Sequence, residues 1–259
     1  MKRIAIVTGA SSGMGREFAR TAADHVEFDE LWVVARRADR LEALAGELKD
    51  KTTVVPVPLD LEDSGAADAL GAKLAGEGAE VTLLVNAAGF GKFQAVTDVT
   101  RETADRMLAL NCKALMDMCY TCLPFMKAGS RILNIASVAA FQPVPYLTEY
   151  AATKAFVLSF SRGLWTEQKK NGITVTALCP YWTKTEFFDV ARKNDGNELI
   201  HYFNAMYDAR DVVNRGWRDL LKGRDVSSFG FIARAQIVLV KLLPHRLVMR
   251  IWLKQQGIK

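Results

Sequence analysis

Tyr150 and Lys154 stand four residues apart in "YAATK" (150–154), with only small residues between them. On a helix that spacing sets a phenol and an ammonium on one face, about one turn apart. A phenol's ordinary pKa of about 10 is too high for a base near neutrality. Lowering it by ~3 units takes about 4 kcal/mol of preference for the phenolate. A cation ~4 Å away, at an effective dielectric of about 20, supplies about that much. A tyrosine tuned in this way can give a proton to a carbonyl oxygen or take one from an alcohol. Taken alone, the pair would equally suit an amphipathic surface helix, so the rest of the chain has to decide.

The other half of such a reaction is a redox cofactor, and the N-terminus is built to hold one. "VTGASSGMGREFA" (7–19) sets Gly9, Gly13 and Gly15 directly after an apolar strand and at the head of a helix. Glycines let the backbone approach a pyrophosphate, and the helix N-terminus faces it. The spacing is G-x-x-x-G-x-G rather than G-x-G-x-x-G. An NAD site places an acid at the end of the second strand, about 20 residues on, for the ribose 2′-hydroxyl. Here Arg36 and Arg37 stand 21 and 22 residues after Gly15. Two cations in place of an acid suit the 2′-phosphate of NADP, with Ser11 as a further donor. Arg40 reads as part of a solvated helix start.

"TGASSGMG", "NAAG" (86–89), Asn111, Ser137 and "YAATK" together resemble the short-chain dehydrogenase/reductase superfamily, in its order and at its intervals, over roughly residues 3–225. By resemblance, Asn111, Ser137, Tyr150 and Lys154 fall on the catalytic tetrad. Ser137 would polarise the substrate oxygen, and Asn111 would hold a water joining Lys154 to solvent. The resemblance also implies cofactor contacts at Ser12, Met14, Asp60 (toward adenine), Leu61, Asn86 (closing the adenosine side), Ala87 and Gly89. Pro180, Thr183 and Thr185 match positions near the nicotinamide carboxamide. One departure stands out: Tyr181 occupies a family glycine position where substrate and nicotinamide meet, and it joins Ser137 and Tyr150 as a substrate contact.

The elements that must position these residues follow from hydrophobic patterning. Apolar runs at 3–8, 31–35, 53–57, 81–86, 131–137 and 173–179 alternate with helical stretches at 37–50, 64–77, 101–127, 148–170 and 209–225. Strands that are apolar on both faces belong to a buried parallel sheet, and the alternation predicts an α/β, Rossmann-like doubly wound fold. At 259 residues, with no repeat or linker, one domain is expected. An aromatic-rich stretch, about 186–207, reads as a substrate lid, and an apolar segment follows over about 227–259.

The formal net charge is +5, with scattered cations and no basic stripe, which argues against nucleic acid and suits an anionic cofactor. No signal peptide precedes the glycine loop, and four cysteines without secretory context point to a cytoplasmic protein. Cys112, Cys119 and Cys122 recur at helical spacings of 7 and 3, a packing stripe rather than a redox or zinc motif. None of the three histidines lies in a motif.

The expected activity is NADP(H)-dependent interconversion of a carbonyl and a secondary alcohol on an apolar or bulky substrate of hydroxysteroid or 3-oxoacyl type. The alternatives are a small ketone or hydroxy-acid dehydrogenase of the same family, or a non-catalytic NADP-binding regulator. A methyltransferase shares the sheet but has no use for the Tyr–Lys pair. Residues 242–256 resemble the tails of hydroxysteroid or long-chain 3-oxoacyl members. Core packing or a subunit interface competes with that reading, and a basic membrane contact through Lys241, Arg246, Arg250 and Lys254 ranks third. Small and apolar residues on more than one face of 101–127 and 148–170 (Ala151, Ala152, Ala155, Leu158), helices that by resemblance pair with those of a second subunit, predict a homodimer or homotetramer.

Overall fold

In the computed structural model, which describes residues 1–192 and 199–258, the six apolar runs become β1 (Lys2–Thr8), β2 (Glu30–Ala35), β3 (Thr53–Pro58), β4 (Ala79–Asn86), β5 (Arg131–Ile135) and β6 (Thr174–Leu178). All pair in parallel. Ile4–Val7 and Leu31–Val34 are wholly buried because helices cover both sides of the sheet. Strand β3 carries Pro56 and Pro58 and lies at the sheet edge, where a missing N–H costs no ladder bond.

One face is covered by α3 (Ala66–Gly76), α5 (Leu115–Cys122) and α6 (Thr148–Gln168). The other is covered by α1 (Gly13–Thr21), α2 (Ala38–Leu48) and α8 (Ala209–Leu221). Each helix turns its apolar stripe inward; on α2 these are Leu41, Leu44 and Leu48. The strand order is β3-β2-β1-β4-β5-β6, with a two-residue strand β9 (Val226–Ser227) beyond β6, so the direction in which strands are added reverses between β1 and β4. That reversal opens a crevice beyond the strands' C-terminal ends, the usual ligand position in such sheets.

Three features differ from the sequence expectation. The helix read over 209–225 stops at Leu221, and β9 (Val226–Ser227) adds a seventh strand beside β6. The continuous helix expected over 101–127 is broken into α4 (Arg101–Leu108), a π-helical turn at Ala109–Ala114 and α5. The aromatic stretch contributes β7 (Thr183–Lys184), α7 (Phe187–Ala191) and β8 (Tyr207–Asp208), with β7 and β8 paired to each other. Residues 193–198 of the expected lid lie outside the described residues. Finally, α9 (Phe231–Leu242) and α10 (His245–Gln255) turn at Pro244. Among the described residues, no helix is long and apolar enough to cross a membrane.

All four cysteines are free and buried. Burial pushes the Cys119 thiol up to about 12 and Cys122 higher still, so the C-x-x-C pair packs as apolar surface.

Candidate active site

The crevice is a cleft of about 1050 Å³ that runs from the glycine loop to the C-terminal helices. At its floor, Gly9 takes φ +65°, and a side chain there would meet the Ala87 carbonyl carbon at 2.7 Å. A Cβ on Gly15 would run into the Gly9 carbonyl oxygen. Glycine is therefore required at both positions for the β1–α1 turn to lie against the β4 loop. Ser12 is the N-cap of α1 but its side chain makes no capping bond. The first-turn N–H groups of Gly13, Met14 and Gly15 have no acceptor within the helix. A cradle of free N–H groups at a helix N-terminus fits a dinucleotide pyrophosphate.

Around that cradle the expected contacts assemble, with one exception. Ser11, Ser12, Gly13, Met14, Arg36, Arg37, Asp60, Leu61, Ala87, Gly89, Pro180, Thr183 and Thr185 all line the cleft. Thr8 Oγ1 accepts from the N–H of Ala87 at 3.0 Å and fixes the β4 loop beside the glycine turn. Asn86 is the exception. Its side chain turns into the core, donating to Asn134 Oδ1 at 2.9 Å, and Asn134 donates on to Ser161 Oγ at 3.0 Å. Asn86 still sits in the ladder, in register with Asn134, so its side chain follows the strand's alternation to the sheet face that α5 and α6 cover. Only the backbone beyond it, from Ala87 to Gly89, reaches the cleft.

The two arginines take different surroundings. Arg37 donates to Ser11 Oγ at 2.9 Å and Ser12 Oγ at 3.0 Å, which places its guanidinium at the mouth of the glycine loop. It also pairs with Glu186 at 3.2 Å. Arg36 lies 3.2 Å from Glu62 and 3.6 Å from Asp60. Arg40, expected to be merely solvated, reaches Glu186 at 2.6 Å. Glu186 and Glu62 carried no signal in the sequence, since their arginine partners are remote along the chain.

The four tetrad positions converge at the other end of the crevice. Helix α6 carries Tyr150 and Lys154 on the face turned toward β5, and Ser137 lies just past the end of β5. Ser137 accepts from the N–H of Ala139 at 3.1 Å, which fixes its hydroxyl over the cleft. Lys154 is 5 % exposed and donates to the Ile135 carbonyl at 2.7 Å. Its Nζ lies 5.7 Å from the Tyr150 ring centroid. The expected lowering of the phenol does not appear in the protein alone. Burial pushes Tyr150 up to about 12, against a hydrogen bond with Ser137 that lowers it. Burial likewise pulls Lys154 down to about 8. Desolvation outweighs a cation anchored to the backbone and set against the ring.

Asn111 lies inside the π-helical turn, 1 % exposed. Its Nδ2 donates to the Phe90 carbonyl at 2.8 Å and to Thr153 Oγ1 at 3.1 Å, while its Oδ1 accepts from the Phe90 N–H at 3.0 Å. Thr153 Oγ1 in turn donates to the Tyr150 carbonyl at 2.8 Å. The asparagine therefore ties the Gly89–Gly91 loop to α6, and π-turns of this kind recur at functional sites. Thr153 sits inside "YAATK" but bears no motif of its own.

Tyr181 lines the cleft and donates its hydroxyl to Asn204 Oδ1 at 2.6 Å, so the ring leans toward the aromatic stretch. Phe93, Trp182, Phe188, Phe203 and Trp252 form a cluster with ring centroids 5.0 to 6.5 Å apart at the far end of the cleft. His201 is exposed, and its backbone N–H donates to Gln256 Oε1.

The profile of the short chain dehydrogenases matches residues 3–196. This chain belongs to that family. It is 34% identical over 196 residues to a very-long-chain 3-oxoacyl-CoA reductase of Anas platyrhynchos, a match covering 73% of this chain and 62% of that protein. It is 35% identical over 219 residues to sulfoacetaldehyde reductase 2 of Chromohalobacter salexigens, covering 82% and 86% respectively. Among solved structures, a short-chain dehydrogenase from Sphingobium yanoikuyae in complex with NADPH superposes with a TM-score of 0.78 at 27% identity, over 96% of both chains. The matched part of this chain therefore spans less than two thirds of the 3-oxoacyl-CoA reductase.

Proposed function

We propose that this chain is an NADP(H)-dependent oxidoreductase that interconverts a carbonyl and a secondary alcohol, with Tyr150 as the proton donor and acceptor. The observation that carries this reading is the convergence of Ser137, Tyr150 and Lys154 on one cleft, opposite a helix N-terminus fit for a dinucleotide. NADPH, when bound, supplies the hydride for reduction. The chain does the rest. Ser137 hydrogen-bonds the substrate oxygen and stabilises the charge that develops on it. Tyr150 gives that oxygen its proton, and Lys154 favours the phenolate left behind. Asn111 keeps α6 and the Gly89–Gly91 loop in register, so the phenol stays aimed at the substrate.

The substrate we infer is apolar and bulky, of hydroxysteroid or 3-oxoacyl type. Val144, Leu147, Trp182, Phe188, Leu239 and Trp252 line the cleft beyond Tyr150, a surface poorly matched to a short sulfonated aldehyde. The 186–207 stretch, as far as it is described, acts as the wall over this end. The chain works as a homodimer or homotetramer in this reading.

Tyr150→Phe keeps the ring and removes the donor. It should retain NADPH binding while kcat falls about 10²–10⁴-fold. The assay is a panel of ketones and secondary alcohols read by NADPH absorbance. A variant that turns over its best substrate at the wild-type rate would remove Tyr150 from the mechanism, and a wild type that binds NADPH yet turns over nothing would favour a regulator.

A further inference from the structure

The helix pair α9–α10 is amphipathic the wrong way round for a core element. On α9, Ala233 and Val240 are buried, whereas Phe231 is 80% exposed, Leu242 76%, Val238 59% and Leu239 52%. At 3.6 residues per turn these exposed residues, with Ile232 and Ala235, fall on one continuous arc of the helix. Arg234 and Lys241 sit together along one edge of that arc. Phe231, Ile232, Ala235 and Leu239 on that arc, with Gln236 beside them, line the mouth of the substrate cleft, and Val238 and Leu242 carry the apolar surface on past it. On α10, Leu247 and Ile251 are exposed one turn apart, and Arg246, Arg250 and Lys254 follow the same period one step around. From Val226 to the end of the chain there are six cations and no acid, while the remainder of the chain is close to neutral.

We propose that α9–α10 docks this protein on the surface of an anionic bilayer, with the mouth of the substrate cleft facing the lipid. An exposed apolar arc bordered by cations, on helices too short to span, is the pattern of an element that lies in the headgroup region. Charge complementarity selects the lipid: cations without acids are attracted to phosphate headgroups, each worth about fivefold in binding constant. Continuity with the cleft gives the face a use. An apolar carbonyl could pass from the lipid along Leu239 and Phe231 without crossing water. A second copy of this chain is the weaker occupant, because two such faces would bring cation against cation. The sequence alone ranked membrane contact third, since hydropathy does not show which side of α9 faces out. The inference does not depend on which carbonyl the cleft takes.

The test is sedimentation of the full chain with vesicles of phosphatidylcholine and phosphatidylglycerol in equal parts, and with phosphatidylcholine alone. Binding to the anionic vesicles is expected, weakening as salt is raised. Arg234→Gln with Lys241→Gln should weaken it by about fivefold for each cation removed. Val238→Gln with Leu242→Gln should weaken it at least about tenfold. None of these four residues lines the cleft, and circular dichroism with NADPH turnover of a water-soluble ketone checks that the variants fold. The proposal is overturned by failure to bind either vesicle, by equal binding to both, or by undiminished binding of the Val238/Leu242 variant. It is also overturned if that variant lowers the solution mass of the chain, which would make the face an interface between copies.

Discussion

Tyr150 and Lys154 are each pushed toward the neutral form, one up to about 12 and the other down to about 8, and burial is the larger cause for both. In the proposed mechanism the neutral phenol is the form that donates a proton, so the free protein would start from the form that reduction uses. Lys154 is the group that titrates within the working range. Below about 8 it holds its proton and, in the proposed mechanism, would favour the phenolate that Tyr150 becomes; above about 8 it loses that charge. The kcat/KM for carbonyl reduction, which reports groups of the free enzyme, should therefore fall as pH rises through about 8. Tyr150, at about 12, adds no limb in that range. Rates measured with one ketone across that interval test this, and a flat profile would mean that the charge on Lys154 is not used. Lys154→Arg, whose guanidinium stays charged, should lack the limb in any variant that folds and turns over.

At the scale of the elements, the junction of β2 and α2 is where the proposed preference for NADP would be set. Arg36 and Arg37 are both exposed there, and a charge-assisted hydrogen bond to a phosphate is worth about 1.5–3 kcal/mol. NADP and NAD differ only at that phosphate, so wild type should prefer NADPH by about ten- to a hundredfold in kcat/KM. Arg37 already sits on Ser11 and Ser12, whereas Arg36 is held by Glu62 and Asp60. Arg36→Asp with Arg37→Ala repels the phosphate and offers the ribose hydroxyls an acceptor, and should reverse the preference. Kinetics with both cofactors in both proteins settle it: a double variant that still prefers NADPH would reduce the two arginines to a solvated helix start. This junction was legible in the sequence because a strand end, a glycine loop and two adjacent cations are all local signals. The six long strands were legible for the same reason, each being a continuous apolar run. Other parts were not. Strand β9 is two residues long, too short for any period. The π-turn at Asn111 differs from an α-helix only in which carbonyl each N–H meets. Glu186 joins Arg37 and Arg40 across almost 150 residues, which no window along the chain can see. The turn of Asn86 away from the cleft depended on where β4 ends, and strand ends are set by tertiary packing.

On the scale of the whole molecule, two exposed apolar faces of the described residues differ in charge. The α9–α10 face carries cations alone. The face built from α4, α5 and α6 exposes Leu108 at 52%, Tyr120 at 65% and Phe156 at 40%, together with Ala152 and Ala155. There the surrounding charges are of both signs: Glu102, Asp105 and Asp117 stand among Arg101, Arg106 and Lys113, and Lys113 pairs with Asp117. Of the four residues named for the two-faced helix, Leu158 is buried against the sheet and Ala151 among Phe93, Leu147 and Phe188, which leaves the small residues Ala152 and Ala155 as the outward stripe. Small residues let two helices approach closely, and mixed charges allow a face to meet its own copy about a two-fold axis without net repulsion. Phe156 stacks on Phe160 at 6.0 Å and forms the largest apolar surface on α6 available to a partner. The expectation is a solution mass of two or four chains at micromolar concentration. Phe156→Glu should shift that mass toward the monomer while circular dichroism stays unchanged, because a carboxylate buried at a self-facing interface would meet its own symmetry mate. A wild type that sediments as a monomer would leave α4–α6 without a partner and refute this assignment. A variant that stays assembled would move the interface elsewhere, and α9–α10 would be the next face to test.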